Sequence, residues 1–200
     1  MFLKRFINNL ISPSLKLKGE NNKVDISQNS HLRKVKIKIY GNNNTVNIGE
    51  GTYLHNVSIN IGFPECPIND CRIEIKDKTS INSADIQLGE NNSSVDIGED
   101  CMLSFNVEIT CSDTHSILDL NNNLQNIGKN ITIGSHVWIC KDVKICKNTQ
   151  IPDNCIVAQG SIVTKVFTQK NSVIAGNPAR VVKNDIKWDR SRPQEYLNRQ

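Results

Sequence analysis

Apolar residues recur along this chain at fixed separations much longer than those of a helix or a single strand. Val24, Ile26, Leu32, Val35, Ile37 and Ile39 return as Val46, Ile48, Leu54, Val57, Ile59 and Ile61, each 22 residues on. After Pro64 and Pro67 the template comes back as Ile73, Ile75, Ile81, Ala84, Ile86 and Leu88, shifted by 27, so five residues are inserted there. A fourth copy opens at Val95, Ile97 and Leu103, again 22 residues later. From Ile127 the interval tightens to six: Ile127, Ile133, Ile139, Ile145, Ile151, Val157 and Val163 are all β-branched. The residue after each is mostly small (Gly128, Gly134, Cys140, Cys146, Ala158), and the fourth residue on is often small or β-branched (Val137, Val143, Thr149, Cys155, Ser161).

A period of six fits neither a helix at 3.6 nor a lone strand at 2, but it fits short strands joined by turns, each sending one branched side chain inward. Three such units close one triangular coil, and stacked coils pair their backbones along the axis. Each inward Ile or Val then contributes roughly 1.5–3 kcal/mol of apolar transfer energy. The 22-residue copies read as coils with longer corners, and Asn-rich corners suit tight turns because Asn tolerates positive φ. Disorder would not preserve six apolar positions at one spacing. The predicted class is therefore all-β, a parallel solenoid. Its parts are an N-terminal segment 1–18 with helical character, long coils over 19–110, an excursion at 111–126, regular hexapeptide coils over 127–166, and a C-terminal extension 167–200 with a short helix.

Two hundred residues with 38% apolar content suit one thin, elongated domain. Phe2, Leu3, Phe6 and Leu10 would share one face of an amphipathic first helix, packed on the body or resting at most peripherally on a membrane. The opening lacks a signal-peptide pattern, and no run of about 18 apolar residues crosses a bilayer. The formal charge is a mild +4. Basic residues gather late, at Lys165, Lys170, Arg180, Lys183, Lys187, Arg190 and Arg192, where either a phosphate-bearing ligand or plain solvation accounts for them. Seven cysteines, an odd number, fall on packing positions; Cys101, Cys140, Cys146 and Cys155 read as small hydrophobes. A reducing cytoplasm is the expected location. Cys66 and Cys71 form a C-x4-C pair without a second pair, a weak zinc signal.

Function is expected where the repeat is interrupted, because a loop extruded from a rigid stack can carry chemistry without disturbing it. Ser112-Asp113-Thr114-His115-Ser116-Ile117 heads one such excursion, ending in the polar run Asn121 to Asn126. Trp138 is a second anomaly: it precedes the inward Ile139, so strand alternation points it outward, either into a subunit contact or into a site shared between subunits.

Three runs carry a resemblance: Gly134-Ser135-His136-Val137-Trp138-Ile139, Ile151 through Lys165, and Ile174-Ala175-Gly176-Asn177-Pro178-Ala179-Arg180-Val181-Val182-Lys183. They look like the hexapeptide-repeat acyltransferase signature. The Ser112–Ile117 run with Trp138 downstream is similar to the bacterial capsule and polysialic acid O-acetyltransferases. The resemblance is strong over residues 95–190 and weaker before. It implies a left-handed β-helix, a homotrimer with sites in the clefts between neighbours, and acetyl-CoA as donor. It also implies that His115 is the general base and that Trp138 lines the cleft. Asp113 would orient His115, or cap a turn. Ala158, Gly160, Ser161, Thr164 and Lys165 would follow the pantetheine arm, with Trp138 nearby, and Arg180 and Lys183 would meet the coenzyme phosphates. Cys140, Cys146, Gln159 and Val166-Phe167 depart from the family's pattern, which bears on coenzyme contacts rather than the fold.

The expected reaction is O-acetylation of a sugar hydroxyl of a surface polysaccharide, with no metal required and no nucleic acid among the partners. A nucleotide sugar or small molecule is the alternative acceptor. Trp188, Arg190 and Arg192 would hold an anionic sugar, or the tail would simply dock across the coils. A rival mechanism makes Cys111 an acyl-carrying nucleophile. A zinc enzyme on the same architecture needs three converging histidines, and His31, His55, His115 and His136 lack such spacing. A non-catalytic scaffold leaves the His115 loop and Trp138 without a purpose.

Overall fold

A computed structural model describes residues 13–199. Three parallel sheets form the sides of a triangular prism, and the chain visits them in rotation. The first sheet has seven strands, from Ser14–Lys18 to Ile162–Val163, and the second has six, from Lys23–Ile26 to Gln150–Ile151. The third has eight and ends in an antiparallel hairpin of Val173–Gly176 with Ala179–Lys183.

The register shows why the apolar spacing matters. In the first sheet Ile37, Ile59, Ile86, Ile109, Ile145 and Val163 stack in line. In the second, Ile26, Ile48, Ile75, Ile97, Ile133 and Ile151 do the same. Leu32, Leu54, Ile81, Leu103, Ile139 and Val157 form the third row. These rows fill the prism, and most of their side chains are fully buried. Alternation sends every other side chain out, which gives most of the strands an in-out pattern.

The corners are held by polar ladders. Asn21, Asn43, Asp70 and Asn92 adopt positive φ on successive coils. Asn21 Nδ2 donates to Asn43 Oδ1 at 3.2 Å, and Asn43 Nδ2 to Asp70 Oδ1 at 3.1 Å. The neighbouring Asn44 is buried, but its amide is satisfied: Nδ2 donates to the Ile68 carbonyl at 2.9 Å and Oδ1 accepts from Cys71 N at 3.0 Å. The inserted segment closes on itself where Phe63 and Cys66 exchange backbone hydrogen bonds of 3.0 and 3.1 Å.

Several expectations change. Ile127 is 58% exposed and lies outside the stack; the regular coils begin at Ile131, and the six-residue step from Ile127 to Ile133 is coincidental. Cys101 and Cys155 are buried, but Cys140 and Cys146 are half-exposed because each follows an inward Ile and so points out. The segment 1–18 already contributes the strand Ser14–Lys18, paired with Lys36–Tyr40. The proposed first helix lies outside the described residues. The C-terminal helix is Pro193–Leu197, and it buries no residue. Among the described residues no helix is long and apolar enough to cross a membrane.

Candidate active site

The excursion leaves the first sheet after Val107–Thr110 and rejoins the second at Ile131–Ile133. It therefore leaves from the prism edge between those sheets. Backbone partners here lie 36 residues apart, twice the 18-residue step of the coils that follow. Gly128 lets the returning chain pass close to its own root, since a Cβ there would sit 1.9 Å from the Cys111 carbonyl oxygen.

The loop is tightly latched. Asn126 Nδ2 donates to Asp113 Oδ2 and to the His115 carbonyl, both at 2.8 Å, while Asn126 Oδ1 accepts from Ile117 N at 2.7 Å. Lys147, largely covered, pairs with Asp113 and donates to the Asn126 carbonyl at 2.6 Å. Further out, Asp119 accepts from the backbone N–H groups of Asn121 and Asn123 at 2.8 and 2.9 Å, shaping the tip. His115 is thereby fixed at its backbone while its ring is exposed.

Asp113 does not orient the imidazole. Its carboxylate is engaged by Lys147 and Asn126, and Lys147, with Asn126 adding to it, holds the carboxyl below the usual carboxylate range. Asp113 is thus a strut of the loop. Cys111 is fully buried at the loop root, its thiol directed at the Ser94 carbonyl, and burial pushes its pKa up to about 12. A thiol so placed is neither ionised nor reachable, which removes it as an acyl carrier.

Trp138 lies in the third sheet, opposite the edge that carries the loop, so one chain does not bring His115 and Trp138 together. Its ring is half-buried under the C-terminal tail, 6.0 Å from the Trp188 ring. Trp188 in turn stacks on His136 at 4.1 Å and donates its indole N–H to the His136 carbonyl at 2.9 Å. Arg190 Nε donates to Asp100 Oδ1 at 2.7 Å, with further bonds to Ser80 Oγ and the Cys101 carbonyl. Burial would raise the Asp100 carboxyl, but His136 and Arg190 outweigh it and bring it below its usual range. Trp188 and Arg190 therefore serve the docking of the tail rather than an anionic sugar. The sequence marks both residues but not Asp100, the partner of Arg190, and nothing in the pattern flags Lys147.

The residues expected along the coenzyme fall into two groups. Ser161 is buried, its hydroxyl donating to the Ala158 carbonyl at 2.7 Å and accepting from Gly176 N at 3.1 Å, so it locks a turn and offers nothing to a ligand. Ala158 is half-exposed beside it, and Gly160 has φ +71° with open space where a Cβ would stand. Thr164, Lys165, Arg180 and Lys183 are exposed, and Arg180 and Lys183 form no ion pair among the described residues. Ala158 and Gly160 thus form an open corner of small residues, and the hairpin paired beside it carries the exposed Arg180.

No family model matches the chain. It is similar to the polysialic acid O-acetyltransferase OatWY, at 31% identity over 91% of this chain and 93% of that one, with a TM-score of 0.72. The polySia-specific acetyltransferase NeuO gives 25% identity over 94% of each chain and a TM-score of 0.71. An uncharacterized 24.8 kDa protein in the cps region of Klebsiella pneumoniae is 42% identical over 122 residues, covering 58% of this chain and 54% of its own, so the match spans about half that relative's length. With its coils, its extruded loop and this likeness along nearly the whole of OatWY, the chain belongs to the hexapeptide-repeat acyltransferases and shares their left-handed parallel β-helix.

Proposed function

We propose that this protein transfers an acetyl group from acetyl-CoA to a hydroxyl of a capsular polysaccharide, with His115 as general base. The observation that carries the reading is the exposed imidazole on a latched loop, on a chain similar over nearly its whole length to two polysialic acid O-acetyltransferases. The cps-region setting of the Klebsiella relative supports a capsular acceptor. Because His115 and Trp138 lie on opposite sides of one prism, the site forms between copies, with the His115 loop of one facing the Trp138 sheet of the next. That arrangement fits a homotrimer.

The thioester carbonyl is already activated, so the task left to the protein is removal of the hydroxyl proton. A neutral His115 ring takes that proton as the hydroxyl oxygen bonds to the acetyl carbon. The same ring returns the proton to the departing thiolate, giving the acetyl ester and CoA-SH. Ala158 and Gly160 leave room for the pantetheine arm, and Arg180 and Lys183 neutralise phosphate charge.

The test is release of CoA-SH with polysialic acid as acceptor. His115→Ala should cut turnover about 10²–10⁴-fold while leaving acetyl-CoA affinity nearly intact. Unchanged turnover would remove His115 from the chemistry.

A further inference from the structure

The outer face of the first sheet is charged unevenly. Strands Ser14–Lys18 and Lys36–Tyr40 lie side by side, with Lys16 opposite Lys38 and Ser14 opposite Lys36. Lys34, Lys36 and Lys38 are all exposed, and none forms an ion pair among the described residues. Along them runs a groove of about 710 Å³, lined by residues of five successive strands. At a strand spacing of about 4.8 Å it is about 19 Å long.

The groove has two chemically different ends. Lys34, Lys36 and Lys38 form one, Asp85 and Glu108 the other, and Asn56 lies between. Glu108 is neutralised by Lys144 at 2.9 Å, and Asp85 accepts from Asn60 Nδ2 at 3.1 Å, so the acidic end retains lone pairs for further donors.

Its position is equally informative. The groove follows the prism edge where the third sheet turns into the first, marked by positive φ at Lys34, Asn56, Asn106, Asp142 and Gly160. Asn106 Nδ2 donates to Asp142 Oδ1 at 2.8 Å and Gly160 N to the Lys141 carbonyl at 3.0 Å, so this is one continuous edge. Its lower part carries Ala158 and Gly160, the corner assigned to acetyl-CoA; its upper part is the groove.

We propose that this groove is an exosite for an acidic stretch of the acceptor polysaccharide, with sugar carboxylates facing Lys34, Lys36 and Lys38 and sugar hydroxyls donating to Asp85, Glu108 and Asn56. The inference rests on the proposed polysaccharide O-acetylation and extends it to a second contact away from the reacting hydroxyl. A single row of cations would suit any polyanion, including a lipid surface. The far end, where Glu108 is paired with Lys144 and Asp85 with Asn60, offers acceptor lone pairs rather than cations, which favours a ligand that carries hydroxyls as well as carboxylates.

The test compares Lys36→Gln/Lys38→Gln with Lys23→Gln/Lys76→Gln, which removes the same charge from the second sheet and its far edge. Binding is read by fluorescence anisotropy with end-labelled polysialic acid, with hyaluronan as a second acidic polymer and dextran as a neutral one. Vesicles of equal parts phosphatidylserine and phosphatidylcholine are assayed by flotation. The groove variant should bind the acidic polymers about five- to tenfold more weakly, and the control variant should not. Added salt should weaken wild-type binding and narrow that gap. In turnover, the KM for polymer should rise by a similar factor while kcat and the constants for a sialic acid dimer stay level. Equal losses in both variants, unchanged polymer binding, preference for vesicles, or a change of oligomeric mass in the groove variant would each overturn the exosite. Failure of the acetylation reading would show separately, as polymer binding without CoA-SH release in the wild type.

Discussion

The coils before the loop and those after it have the same interior and different corners. Ile59 in the wide half and Ile145 in the tight half occupy the same row of the first sheet, both buried, under parallel strands of the same kind. Yet polar partners on successive coils lie 22 or 27 residues apart in the first half and 18 in the second. The extra residues go into corners such as Asn42-Asn43-Asn44, where amides bond coil to coil. The interior therefore sets the cross-section, while the edges are free to lengthen. The longest of these extensions, at the seam between the halves, carries His115.

The largest expected effect tests the shared interior. Ile59→Ala and Ile145→Ala should each lower unfolding free energy by about 2–5 kcal/mol and by similar amounts, because both leave a cavity that flanking coils cannot close. Chemical denaturation measures this, and a large difference between the two would show that the halves are not packed alike. The next effect tests the corners. Asn44→Ala leaves the Ile68 carbonyl and the Cys71 N–H without their side-chain partner, and should cost about 1–3 kcal/mol. The hydroxyl of Thr149, buried in the tight half, makes one bond among the described residues, to the Val163 carbonyl at 3.3 Å, so Thr149→Val should cost less.

The smallest effect belongs to the seam. Lys147 lowers the Asp113 pKa in the folded protein, so the latch contributes stability above the ordinary carboxylate pKa of about 3.9 and loses it as pH falls through the lowered value. Loop order, followed by amide exchange at Ile117 and Gln125, should thus hold from neutral pH into the acid range and fail only below about pH 4. Asp113→Asn should loosen the loop at neutral pH with little change in global stability. Loosening in that variant equal to that of a Lys147→Met variant would identify the pair itself as the latch.

Much of this molecule could be read from its letters. The rows of Ile and Val, the insertion after Pro64 and the break ahead of the tight coils follow from periodicity, because a steric interior repeats wherever the chain returns to it. His115 stood out because it breaks that repeat. The run from Ile127 to Ile133 misled for the same reason: spacing alone does not distinguish a coil from a loop that ends in step with one. Size alone makes Cys140 and Cys146 read as small hydrophobes at packing positions, although alternation turns them outward.

What sequence determined by itself is the prism: side-chain volume at a fixed interval is a local property, legible one residue at a time. Only the tertiary structure decided which polar groups meet. Asp113 with Lys147 and Asp100 with Arg190 join residues 34 and 90 positions apart on different coils, and no local spacing encodes which side chains the winding sets side by side. The lysine-lined groove has the same origin, since its two ends come from strands that share one sheet only once the coils are stacked.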